Sequence, residues 1–154
     1  MKRNLIITSA AIAAAAVLVS AGISMSAQRL PTVEVYKTTT CGCCSLWVKH
    51  LEENGFTTRV SDVGNIAAVK QTYGVPARAA SCHTAVVDGY VIEGHVPAAD
   101  VKRLLQERPT VAGLAVPGMP IGSPGMEYGD RVQPYDVLAF DKAGQTTVFS
   151  SYGR

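Results

Sequence analysis

From Leu5 to Met25 the chain carries no charge, and Ala, Ile, Leu and Val dominate. Beyond it the apolar positions recur in short periods. Thr32 to Thr39 alternates β-branched and polar residues, which predicts a strand. Ser45 to Glu53 has helical spacing, with Trp47, Val48 and Leu51 on one apolar face, and Asn54-Gly55 supplies its stop. Phe56 to Val63 reads as a second strand. Asn65 to Tyr73 reads as a second helix, with Asn65 as its cap and Gly74 ending it; Val75-Pro76 then breaks the chain. Cys82–Val87 and Tyr90–Val96 flank Asp88-Gly89, a strong two-residue hairpin signal. Pro97 opens a helix from Ala98 to Arg108, proline being favoured in the first turn.

The predicted order is β-α-β-α-β-β-α. This is an α/β, thioredoxin-like arrangement, in which the first strand delivers residues to the N-terminus of the next helix. Two pieces follow it. Thr110 to Gly129 is rich in Gly and Pro, has no period, and contains Pro-Gly-Met twice, at 117–119 and 124–126. Pro134–Phe140 and Gln145–Tyr152 flank Lys142-Ala143-Gly144 and predict a terminal hairpin.

The apolar N-terminal run follows a basic start, Met1-Lys2-Arg3-Asn4. Residues 1–27 therefore read as a secretory signal, or as an uncleaved anchor with its basic end inside. Small residues suited to a signal peptidase occur at Val19-Ser20-Ala21, at Ser24 and Ser26, and at Ala27. At about 20 residues the run is long enough to span a bilayer. Either reading puts the domain at 32–154 in the periplasm, touching the membrane only through this segment. Without residues 1–27 the chain has 12 basic and 12 acidic residues. That balance gives no electrostatic case for nucleic acid.

Export sharpens the meaning of the four cysteines, Cys41, Cys43, Cys44 and Cys82. Outside the cytosol, structural disulfides are the ordinary use. The spacing argues otherwise: Cys43 and Cys44 are adjacent, and Cys41 and Cys43 are too close for an ordinary bridge. The cluster sits where a strand becomes a helix, and the positive end of the helix dipole favours thiolate there. Cys41 and Cys44 have the spacing of a redox pair. Cys43 adds a sulfur that a simple redox enzyme does not need. Clustered thiolates are soft ligands that select Cu(I), Zn or iron–sulfur.

Hairpin arithmetic places the remaining candidates. With Asp88-Gly89 as the turn, Val87 pairs with Tyr90, Val86 with Val91, Thr84 with Glu93, and Cys82 with His95. Opposed residues share a face with Cβ atoms about 5 Å apart, so Cys82 and His95 can hold one metal. His83 is expected to point the other way and to make structural hydrogen bonds. Met119 and Met126 lie on an irregular loop rather than on an apolar stripe. Thioether is a poor zinc ligand and a good Cu(I) ligand, which moves the expected metal from zinc to copper. His50 is expected on the surface. Trp47 is placed either to cover the cluster or to pack in the core.

Cys41-Gly-Cys-Cys44 with Trp47, Ser81-Cys-His-Thr84, Glu93-Gly-His-Val-Pro97, Gly113-Leu-Ala-Val-Pro-Gly-Met-Pro120 and Gly122-Ser-Pro-Gly-Met-Glu127 together resemble the CopG-type family of exported copper-resistance proteins. The resemblance covers about Val33 to Phe149. It implies a thioredoxin-like fold with a cysteine-bridged copper cluster, Cu(I) binding, and interconversion of Cu(I) and Cu(II). Cys41, Cys43, Cys44 and Cys82 would be the sulfur ligands, with His95, Met119 and Met126 as further candidates. Copper export and oxidation proteins of the cell envelope are the implied partners. Three function classes stay open: copper sequestration, with a copper-dependent oxidoreductase as its enzymatic form; a thiol–disulfide oxidoreductase using Cys41 and Cys44; and a structural zinc or iron–sulfur module, which the methionine pair does not fit.

Overall fold

The computed structural model describes residues 29–154; the expected signal or anchor over residues 1–27 lies outside the described residues. Among the described residues seven strands form one mixed sheet in the order β2-β1-β3-β4-β5-β6-β7. Val33–Lys37 (β1) leads to helix Gly42–Glu53 (α1), strand Thr58–Asp62 (β2) and helix Ile66–Thr72 (α2). After a short 3-10 turn at Ala77–Ala79 come the hairpin strands Thr84–Val87 (β3) and Tyr90–Glu93 (β4), then helix Ala98–Glu107 (α3). This reproduces the β-α-β-α-β-β-α order read from the periodicity. β1 pairs parallel with β2 and antiparallel with β3. Among the described residues no helix is long and apolar enough to cross a membrane.

Local chemistry accounts for these boundaries. Asn65 accepts from the Ala68 amide at 3.1 Å and caps α2 as expected. Asp88 and Gly89 both take positive φ, 48° and 85°, the geometry that a tight hairpin turn matched to strand twist requires. α1 starts three residues before its apolar period, so Cys43 and Cys44 enter its first turn behind Cys41 as N-cap. Trp47, Val48 and Leu51 of α1 and Val101 and Leu104 of α3 pack with Val33, Val35, Ala85, Ile92 and Leu114 in the main core. A smaller cluster, Val91, Ala115 and Phe140, packs with Ala79, Tyr73 and Val75.

Two expectations need correction. The stretch Thr110–Gly129 is not wholly irregular: Gly113–Ala115 forms a buried strand, β5. It runs parallel to β4 and antiparallel to Tyr135–Phe140 (β6), so it welds the terminal hairpin onto the sheet. Three residues are too few to display a period of two. His50 is less exposed than expected. It is partly buried, and its Nε2 accepts the Ala98 amide at 3.1 Å.

The last strand, Thr146–Tyr152 (β7), is tied to α3. Ser150 and Tyr152 donate to the Asp100 carboxylate at 2.9 and 2.6 Å. β6 and β7 contain a bulge: Val137 opposes Ser150 and Leu138 opposes Val148, which leaves Phe149 without an opposite residue. The Arg103 guanidinium lies 3.7 Å from the Phe149 ring centroid and donates to its carbonyl at 2.7 Å.

Gly113 is where β5 meets β4, and a Cβ there would overlap the Val91 carbonyl. Gly113→Ala should therefore push the strands apart and destabilise the protein by about 2 kcal/mol or more, in the range of core overpacking. Urea unfolding checks this; a midpoint equal to that of the parent protein would mean that the β4–β5 junction is looser than described.

Candidate metal centre

The strand-to-helix turn after β1 presents the first three sulfurs. Cys41 and Cys44 are joined as a disulfide with Cα atoms 5.3 Å apart, while Cys43 and Cys82 are free. Cys44 is fully buried, and the other three are partly exposed. Cys43 Sγ lies 3.6 Å from Cys41 Sγ. All four sulfurs fall within 4.8 Å of one another. The hairpin thus brings a cysteine from 38 residues further along the chain to the helix N-terminus.

Cys82 also meets two imidazoles. Its sulfur is 3.1 Å from His95 Nε2 and 3.3 Å from His83 Nδ1. The hairpin pairs in the expected register, with Thr84 opposing Glu93 and Val87 opposing Tyr90, and Cys82 and His95 meet just beyond its paired residues. The expectation that His83 faces away is wrong. β3 begins only at Thr84, so Cys82 and His83 lie before the strand and escape its alternation. Neighbouring side chains can converge there. His83 is fully buried, with its ring 4.4 Å from Trp47 and 5.1 Å from His95. Its Nε2 is buried without a hydrogen-bond partner among the described residues.

His95 is oriented from behind. Its Nδ1 lies 2.8 Å from the Pro124 carbonyl. A carbonyl can only accept, so the proton sits on Nδ1 and the Nε2 lone pair faces Cys82. The next residue, Gly125, takes φ 84°, and a Cβ there would meet the Cys43 carbonyl and the Trp47 amide at 2.8 Å. Only glycine lets this loop lie against α1. The other Pro-Gly-Met arm is tied beside Cys82, with the Gly118 amide on the Ala80 carbonyl and the Ser81 hydroxyl on the Gly118 carbonyl. Both arms therefore flank the sulfurs through their backbones. Met126 is partly buried, and Met119 is 51% exposed.

A residue that sequence reasoning missed holds the Cys82 loop. The Glu93 carboxylate, completely buried, accepts from Lys70 Nζ at 2.5 Å, the Ser81 amide at 2.6 Å and the Thr84 hydroxyl at 2.7 Å. Lys70 also donates to Thr84 Oγ1 at 3.1 Å. The Thr84–Glu93 pairing was legible, but Lys70 comes from another helix and no sequence period links them. Gly94 completes the device. At φ 70° it turns the chain out of β4 where a Cβ would overlap Ser81, and His95 then swings toward Cys82.

Electrostatics disfavour charge on Cys82 and on both imidazoles beside it. Burial, followed by the neighbouring Cys43, pushes the Cys82 thiol up to about 11. Burial also lowers both His83 and His95, so both imidazoles are neutral near pH 7. A metal that took this sulfur would displace a proton. With the disulfide closed the free donors are the Cys43 and Cys82 sulfurs and an aimed imidazole nitrogen, with a second imidazole in reach; reduction would add the Cys41 and Cys44 sulfurs.

Comparison with known proteins bears on the same residues. A family model described as a protein of unknown function, DUF411, matches residues 79–126, the stretch holding Cys82, His83, His95, Met119 and Met126. A solved structure called copper resistance protein copG, Form 2, is 48% identical. It superposes with a TM-score of 0.77, over 80% of this chain and 99% of that one. Form 1 of the same protein is 47% identical, with a TM-score of 0.77, over 81% and 99%. No curated protein sequence matches.

The Glu93 network gives a test of how the site is held. Glu93→Gln removes the charge that Lys70 faces and should cost about 3 kcal/mol, as expected when one partner of a buried pair is lost. The double variant Lys70→Met with Glu93→Gln should lose clearly less than the sum of the singles. Urea unfolding of the four proteins measures the coupling; strictly additive losses would show that the two groups act separately.

Proposed function

The chain belongs to the CopG family of copper-resistance proteins, and on that premise we propose that it captures Cu(I) at Cys41, Cys43, Cys44 and Cys82 as part of copper resistance. The observation that carries this reading is the gathering of four sulfurs within 4.8 Å of one another. Soft thiolates discriminate for Cu(I) over the hard cations of the envelope. His95 adds a nitrogen whose lone pair is already aimed at the cluster, and Met119 and Met126 are candidate thioether donors on the flanking loop. The basic start and apolar run of residues 1–27 support export to the periplasm. There the partners would be copper ions and the envelope proteins that export or oxidise them.

A redox step is compatible with the same residues. When the reduced Cys41 and Cys44 thiols close their disulfide, they release two electrons and two protons. Two electrons convert two Cu(II) to two Cu(I), and the remaining free sulfurs, Cys43 and Cys82, are then available to the product. In this reading the disulfide form is the oxidised end of the cycle, and an external dithiol must reopen it before four sulfurs are available again.

The disulfide itself favours a second reading, a thiol–disulfide oxidoreductase. Such an enzyme needs Cys41 and Cys44 but neither Cys43 nor Cys82.

Anaerobic titration of the reduced protein with Cu(I), against a chromophoric chelator, separates the two. Cys43→Ser and Cys82→Ser should each weaken binding by more than the roughly tenfold that loss of a supporting group costs. Reduction of a model disulfide substrate by Cys41 and Cys44 should stay low in all three proteins. Unchanged copper affinity in both variants, with brisk disulfide reduction, would establish the oxidoreductase instead.

A further inference from the structure

α1 grips the segment that carries His95 at two points. The Trp47 indole N–H donates to the Val96 carbonyl at 2.8 Å, and His50 Nε2 accepts the Ala98 amide at 3.1 Å. Trp47 and His50 are three apart, so they lie on one face of the helix. Their partners lie either side of Pro97 and begin one residue after His95. The same helix carries Cys43 and Cys44 in its first turn. These two contacts form a two-pronged side-chain clamp that ties the helix carrying both cysteines to the segment that follows His95.

The prongs differ in chemistry. The indole does not titrate, whereas the imidazole does. In the clamped state His50 must be neutral, because Nε2 receives a proton from Ala98 and cannot also carry its own. The Ala98 amide is among the first N–H groups of α3, where the helix dipole is positive and a cation is disfavoured. Burial lowers the His50 pKa first, and Lys102 of α3 acts in the same direction. Glu127 of the loop and Glu53 of α1 oppose it. The net direction is down, so the clamp holds near neutral pH and opens as pH falls below the ordinary histidine value.

We propose that His50 is a positioning residue for the copper site, holding the His95 segment onto the cysteine helix, and that its protonation releases this hold. Mild acid then weakens copper retention through His50 as well as through competition of protons for the thiolates. The copper part rests on the function proposed above; the clamp itself does not.

The experiment compares the parent protein with His50→Gln and His50→Ala. The glutamine side-chain oxygen can accept the Ala98 amide and does not titrate; alanine leaves that amide without its partner. The first measurement uses metal-free protein. The Ala98 amide and Trp47 indole resonances are followed by NMR from pH 8 to pH 5. They should shift together with pH in the parent and hold nearly still in His50→Gln. The second measures Cu(I) affinity at pH 7.5 and 5.5. The parent should lose about tenfold more than His50→Gln over this interval, the lower end of the cost of losing a group that holds a ligand. His50→Ala should be weak at both values; if it does not fold, the glutamine variant carries the comparison. Identical pH responses of the resonances in parent and His50→Gln would overturn the clamp. Should none of the proteins bind copper, the function proposed above fails while the resonances still decide the clamp. Should the resonances behave as expected but the two affinities fall in parallel, the clamp stands and its control of copper is refuted.

Discussion

The site depends on one buried negative charge. Glu93 has no exposed surface, and an isolated carboxylate so placed would be prohibitively costly. Three donors from three segments offset that cost: Lys70 from α2, the Ser81 backbone from the loop before β3, and Thr84 from β3. Each is thereby fixed relative to β4. Cys82 follows Ser81 directly, and His95 follows Glu93 by two residues. The carboxylate therefore sets both ends of the Cys82–His95 approach without touching either side chain. Charge-assisted hydrogen bonds are directional as well as strong, so the loop is held in one geometry and not merely near it.

Much of the fold was legible because it rests on local rules. The Asp88-Gly89 turn, the Asn65 cap and the alternation of β1 each depend on a few adjacent residues. The cysteine cluster was legible for a different reason: three sulfurs in four residues are too close together for ordinary structural bridges. What stayed hidden depends on contacts between distant segments. His83 turns inward because β3 begins only at the next residue, Thr84, and the loop before it is held by the Ser81 amide on the distant Glu93 carboxylate. β5 is defined by its neighbours on both sides. His50 occupies an apparently exposed helical position until α3 arrives with an unpartnered amide.

The sulfur cluster and the disulfide are two uses of one set of atoms. With Cys41 bonded to Cys44, two of four sulfurs satisfy each other, and the free pair is Cys43 and Cys82. Opening the bridge changes the number of soft donors from two thiols to four. The neutral imidazoles beside Cys82 suit either condition, because neither demands a counter-charge. Around them the two Pro-Gly-Met arms supply shape through their backbones, and the loop's approach to α1 is as close as a glycine at 125 permits.

The bulge at Phe149 bears on a hazard common to proteins of this architecture. β7 is the last strand of the sheet, and from Thr146 to Tyr152 it carries no charged side chain. An uncharged free edge of that length is a template on which a strand of another molecule could build. An extra residue of this kind bends a strand and raises its twist, and here Arg103 grips the Phe149 ring and carbonyl. An incoming strand meets a ladder broken at its centre, with a cation beside the break. A misregistered rung thus guards the sheet against aggregation, in a chain that offers no lysine or proline along that edge to do so.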